Sequence, residues 1–179
     1  MLLLTIPARE LFDNEKQEFI KTPECTIQLE HSLVSLSKWE AKWGKPFLSK
    51  EPKTSAEIID YLKCMTITQN VNPQVYNSLS NENIDLINKY IDKPMTATTF
   101  NEVNNTRSRE IITSELIYYW MISLNIPMEC QKWHLNRLLT LIRVCNIKNQ
   151  PPKKMNRKDI MSRNAALNAA RRKKLNSKG

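Results

Sequence analysis

Residues 111 to 127 read Ile111-Ile112-Thr113-Ser114-Glu115-Leu116-Ile117-Tyr118-Tyr119-Trp120-Met121-Ile122-Ser123-Leu124-Asn125-Ile126-Pro127, the most apolar stretch of a 179-residue chain. Its apolar residues point in nearly every direction round a helix, which predicts a helix buried on all sides. The Asn125-Ile126-Pro127 break is short and favours an antiparallel return. Leu135, Leu138, Leu139, Ile142 and Cys145 then mark the facing stripe of a second helix. This helical hairpin is expected at the centre of the core or in a subunit interface.

Upstream of the hairpin, further helices are marked by their ends. Leu36, Trp39 and Trp43 share one face before Gly44 and Pro46 stop the first helix. Thr54-Ser55-Ala56-Glu57 has the form of a capping box, followed by Ile58, Ile59, Leu62 and Met65 on one face. A short helical segment carries Val75, Tyr76 and Leu79, and Ser80 caps another with Ile84, Ile87 and Ile91. Residues 93 to 108 are polar and aperiodic, which predicts a mobile connector. The first thirty residues instead alternate with period two: Leu2, Leu4 and Ile6, then Phe19 and Ile20 after an Asp13-Asn14-Glu15-Lys16 turn, then Thr26 to Leu29. The predicted fold is α+β and mostly α. A small N-terminal antiparallel sheet (residues 1–30) packs on a helical body (31–147) with the hairpin at its centre, and a basic tail (148–179) follows.

Charge divides the chain at the same place. The formal net charge is +9, yet Lys148 to Gly179 hold eleven basic residues and one acid, Asp159, while residues 1–147 hold sixteen basic and seventeen acidic ones. The body is nearly neutral and the tail carries +10. Pro151 and Pro152 separate the two. The Ala-rich tail has good helix propensity but little to bury, so a flexible or conditionally helical segment is expected. Arg157, Lys158, Arg163, Arg171, Arg172, Lys173 and Lys174 are its candidate contacts to nucleic-acid phosphates or to an acidic helix. A solubilising end explains the same composition.

Motifs for chemistry are sparse. The chain has two glycines, Gly44 and Gly179, which excludes the glycine-rich phosphate loops. Cys130 and His134, four apart, make half of a zinc site that nothing nearby in sequence completes. With no catalytic, cofactor-binding or metal-binding set, a non-enzymatic binding protein is expected. No apolar run reaches the roughly 18 residues of a membrane span, and no export signal precedes the body. A reducing cytoplasm with free thiols at Cys25, Cys64, Cys130 and Cys145 is therefore the expectation. Trp39 and Trp43 have two readings, as core indoles or as a partner-binding pair. Lys132, Arg137 and Arg143 raise a helix-turn-helix alternative, which the apolarity around Pro127 opposes.

Four stretches together resemble tail assembly chaperones of long-tailed, siphovirus-type bacteriophages: Leu29 to Glu40, Pro94 to Thr98, Arg109 to Met121 and Trp133 to Leu139. The resemblance runs over most of the chain and is one of general pattern. It implies a protein that coats the phage tape measure protein and keeps its hydrophobic helices soluble during tail assembly. It also implies residence in the cytoplasm of the infected bacterial host, absence from the mature virion and self-association. The basic tail is a departure from what the resemblance explains, and leaves open a nucleic-acid-binding accessory protein or a structural tail or connector subunit.

Overall fold

The computed structural model of the chain describes residues 1–13, 18–100, 110–151 and 156–176. It is mostly helical with a small antiparallel β component. Two compact units divide it, Met1–Ile147 and Lys148–Gly179.

The N-terminal strands are β1 (Leu2–Ile6), β2 (Arg9–Asp13), β3 (Glu18–Thr22) and β4 (Cys25–Leu29). They form two separate two-stranded ladders, β1 with β4 and β2 with β3, where the alternation predicted three strands in one sheet. The register nevertheless runs on unchanged from Leu2↔Leu29 through Ile6↔Cys25 to Arg9↔Thr22 and Asp13↔Glu18. This is one long ribbon interrupted where Pro7 and Pro23, which have no N–H to donate, fall near one another on opposite strands. The inner ladder buries Leu4, Ile6, Ile27 and Leu29. The outer edge of β4 is partly covered by residues 66–68: the Ile67 N–H donates to the Gln28 carbonyl, and the Gln28 N–H donates to the Thr68 hydroxyl. The expected turn after Asp13 lies outside the described residues.

Helix α1 (Leu33–Trp43) is the central support, in contact with α2 (Ser55–Met65) and α4 (Ser114–Ser123). Ser32 caps its start in a reciprocal pair with Ser35, and Gly44 closes it at φ 61°, a conformation that costs other residues about 1 kcal/mol or more. Leu33 and Leu36 are fully buried, each contributing ~2 kcal/mol of apolar burial. Thr54 and Glu57 form the predicted capping box of α2. A 3-10 turn at Pro73–Ser78 precedes α3 (Asn81–Ile91), which Ser80 caps. A second 3-10 turn at Met128–Lys132 joins α4 to α5 (Leu135–Asn149).

One expectation fails in α4. The helix is not buried all round: Ser114, Ile117 and Met121 form its buried stripe, whereas Tyr119 is 64 % and Ile122 67 % exposed, as is Ile111 just before it at 61 %. The apolar composition predicts burial in every direction and a return of α5 against α4, but α4 leans principally on α1 rather than on α5, and that contact covers a single stripe, so the two helices do not form the expected central hairpin.

Glu40 locks this arrangement. Its buried carboxylate accepts from the Phe47 N–H at 2.8 Å and from the Ser114 N–H at 2.7 Å, joining α1, the following loop and the first turn of α4. A carboxylate at the N-terminus of α4 also meets the positive end of that helix. Of the polar connector, residues 101–109 lie outside the described residues. Its near end is tied down by Asn136, whose amide donates to the carbonyls of Ile91 and Lys93.

In the second unit, α6 (Arg157–Leu175) is a continuous helix in which every described residue is exposed. Its last turn holds Arg172, Lys173 and Lys174, cations that complement the negative end of the helix dipole.

Candidate functional site

An open groove of about 600 Å³ lies between α2 and α3. Ile58, Ile59 and Leu62 form one wall, and Ile84, Ile87 and Ile91 form the other, with Phe47 and Leu79 among the remaining apolar lining. On α3 the wall residues follow i, i+3, i+7 spacing, two turns or about 10 Å of apolar surface, whereas on α2 Ile58, Ile59 and Leu62 cover about one turn, ~6 Å. The floor is buried, with Leu62 6 % and Ile87 2 % exposed, while Ile58 and Ile84 at the lips are 46 % and 39 % exposed. Sequence periodicity placed Ile58, Ile59 and Leu62, and Ile84, Ile87 and Ile91, on the apolar faces of their helices. Only part of each stripe reaches the core.

The walls are supported separately from behind. Helix α2 rests on α1 and on the Pro73–Ser78 turn, and α3 rests on β1. The start of α2 is fixed by Glu57, whose carboxylate accepts from the Thr54 N–H at 2.7 Å and pairs with Lys45 at 2.8 Å. The Lys45 hydrogen bond, with the Thr54 N–H next, holds Glu57 well below the usual carboxylate range, at about 2. Asp60 binds Lys42 of α1 and Lys63, and is lowered mainly by the Lys42 hydrogen bond. At the far end Tyr76 donates to Thr66 and Tyr90 donates to Glu30, each through its hydroxyl.

Besides Tyr61 and Tyr76, whose hydroxyls bond His31 and Thr66, the polar side chains lining the groove are Lys53, Ser55, Asn77 and Asn88. Lys53 is the single charged one. Its ammonium lies 4.7 Å from the centroid of the Phe47 ring, and it forms no ion pair among the described residues.

Behind the groove lies the main buried polar cluster. Nδ1 of His31 and the Tyr61 hydroxyl share a hydrogen bond of 2.6 Å, and the His31 and His134 rings meet edge to face at 5.3 Å. His134 accepts from the Asn136 N–H at Nδ1 and donates from Nε2 to the Tyr90 carbonyl, so both nitrogens are engaged and the neutral tautomer is fixed. Burial, then the neighbouring His134, pushes His31 down to about 4, and burial also lowers His134. Burial raises Tyr61. These groups stay uncharged at neutral pH, and the cluster cross-links the β4–α1 connection, α2, α3 and the residue preceding α5.

The other expected site residues fall in different places. Trp39 is 1 % exposed, donates its indole N–H to the Glu57 carbonyl at 2.8 Å and packs edge-on against Phe47. Its partner-contact reading is therefore replaced by a core role. Trp43 is half-buried, stacked on Trp39, and its Nε1 is buried without a hydrogen bond among the described residues. Arg157, Lys158, Arg163, Arg171, Arg172, Lys173 and Lys174 all lie exposed on α6, spread round the helix rather than gathered on one face. Cys130 is buried, and no three His, Cys, Asp or Glu side chains converge among the described residues. The cysteines are free thiols. Arg137 and Arg143 lie over the Trp133 and Phe100 rings, each 4.1 Å from a centroid.

No described helix is long and apolar enough to cross a membrane. Compared with protein-family models, curated proteins and solved structures, the chain matches none.

Proposed function

We propose that this chain is a tail assembly chaperone of a long-tailed bacteriophage, which binds the tape measure protein and keeps its hydrophobic helices soluble until the tail tube is built. The observation that carries the reading is the preformed apolar groove between α2 and α3, a surface suited to an amphipathic helix. Tyr119 and Ile122, exposed one turn apart on α4, offer a second apolar contact, for a partner or for another copy of the chain. On this reading the protein is not an enzyme. It acts in the host cytoplasm and leaves before the virion matures. Co-expression with the long helical protein encoded beside it tests the proposal: that protein moves into the soluble fraction if the reading is right, and an unchanged insoluble fraction sinks it.

A second reading follows from α6, where seven basic residues and one acid stand on a fully exposed helix. Such a helix suits the phosphate backbone of a nucleic acid. Polynucleotide affinity that falls steeply between low and moderate salt, and that is lost in the Lys173→Glu, Lys174→Glu double variant, would favour this accessory role. Recovery of the protein in purified particles would favour a structural tail subunit.

A further inference from the structure

We propose that the α2–α3 groove receives one amphipathic helix at a time, and that this helix places a carboxylate against Lys53. The proposal rests on the chaperone reading for the identity of the partner, but the groove and its lysine define the chemistry of the docking segment independently.

Three observations select a helix over a small apolar molecule. First, both walls are apolar at helical spacing, over about two turns on α3 (Ile84, Ile87, Ile91) and about one on α2 (Ile58, Ile59, Leu62), a shape that suits the i, i+3, i+4, i+7 anchors of a docked helix. Second, the lips stand open, since Ile58 and Ile84 are each roughly half exposed, whereas a fatty acid or sterol is enclosed over most of its surface. Third, the neutral polar groups are few: Ser55, Asn77 and Asn88 remain once the Tyr61 and Tyr76 hydroxyls are engaged with His31 and Thr66, too sparse to fix the orientation of a compact ligand in several directions. The wall isoleucines are β-branched and stiff, and their helices are braced from behind, so little side-chain entropy is lost when the groove fills.

Lys53 supplies the polarity of docking. It is the one charge in the lining, half-buried, held over Phe47 and without an ion pair among the described residues. A carboxylate beside the apolar stripe of the incoming helix meets it, while a cation there is repelled. Apolar stripes bind with little directional preference, so this pair sets which end of the helix lies at the start of α2.

The test uses the full chain and a synthetic amphipathic peptide of about 15 residues, ~22 Å long as a helix. The peptide carries Leu at i, i+3, i+4 and i+7 and Glu beside the stripe, and a second peptide has Lys in place of that Glu. Binding of the Glu peptide is expected to weaken at least about ten-fold in Ile84→Asp and in Ile58→Asp. Both changes are at exposed lips, and circular dichroism checks that the fold is retained. Lys53→Glu is expected to weaken the Glu peptide about five-fold and strengthen the Lys peptide by a similar factor. Peptide affinity unmoved by both lip variants overturns the groove as the docking site. Indifference to the charge exchange overturns the role of Lys53. Tight binding of oleate with no binding of either peptide overturns the helix in favour of a lipid-like ligand. Co-expression separates this proposal from the broader one. If Ile84→Asp solubilises the long helical neighbour as well as the parent chain does, the groove proposal falls and the chaperone reading stands. If the peptides obey the charge exchange but the parent chain solubilises nothing, the chaperone reading falls and the groove proposal stands.

Discussion

Acidification from pH 7 to pH 5 should unfold this protein more readily, and the cause is one imidazole. His31 is 3 % exposed, packed between Tyr61 and the His134 ring, and its folded pKa of about 4 compares with an ordinary value of 6.5. Between those values the unfolded chain binds a proton that the folded chain excludes. Stability is therefore full above about pH 6.5 and declines as the pH falls, with the decline complete near pH 4. The loss is about 2 kcal/mol between pH 7 and 5, and about 3 kcal/mol by pH 4. His134, lowered in the same direction, adds to it. Urea unfolding at pH 7, 6 and 5 measures the effect, with His31→Asn as the control. Asparagine keeps a hydrogen-bonding group near the Tyr61 hydroxyl but cannot titrate, so most of the loss should vanish and only the share of His134 should remain. A variant that still loses the full 2 kcal/mol or so over this range would show that His31 does not carry the dependence. A proton-detected titration placing the folded His31 ring near 6.5 would refute the reasoning directly.

Other variants probe the packing. Glu40→Ala leaves the buried N–H groups of Phe47 and Ser114 without their acceptor and should cost about 3 kcal/mol in urea unfolding, with Glu40→Gln costing less. Trp39→Phe removes a buried indole and its bond to the Glu57 carbonyl, for a loss of about 2 kcal/mol in the same assay. Trp43→Phe removes an indole N–H that has no acceptor among the described residues, and should change stability by under about 1 kcal/mol. Gly44→Ala should cost about 1 kcal/mol through its left-handed backbone alone, because the added methyl meets nothing within 4 Å.

Much of the architecture was legible because helix ends are written locally. Ser80 with α3, the Thr54–Glu57 box and Gly44 each satisfy or close a helix terminus with residues a few positions away. What was illegible depended on residues far apart. The apolar stripes of α2 and α3 announced burial, but nothing in either helix says that the Pro73–Ser78 turn and β1 hold them apart and leave Ile58 and Ile84 at an open lip. An apolar face wider than one helix contact can cover was the available signal. Tyr119 and Ile122 carry the same signal in α4, where it points equally to the core or to a subunit interface. Glu40 gave no sign at all, since an acid on a helix is ordinarily solvated and its second partner, Ser114, is 74 residues away. The basic segment was readable as composition, and its helical form follows from alanine content, but no contact within the sequence names its partner.

The interrupted ribbon bears on how the fold opens. Because Pro7 and Pro23 remove the rungs between the two ladders, strain or solvent entering the outer ladder has no continuous hydrogen-bond path into the inner one. Backbone amides of Leu2–Ile6 and Cys25–Leu29 that pair across the inner ladder should exchange with deuterium only when the whole core melts. Those of Arg9–Asp13 and Glu18–Thr22 should exchange through a smaller, cheaper opening. Two prolines thus turn one hairpin into two units of cooperativity, and allow its outer end to fray or be remodelled while the core stays folded.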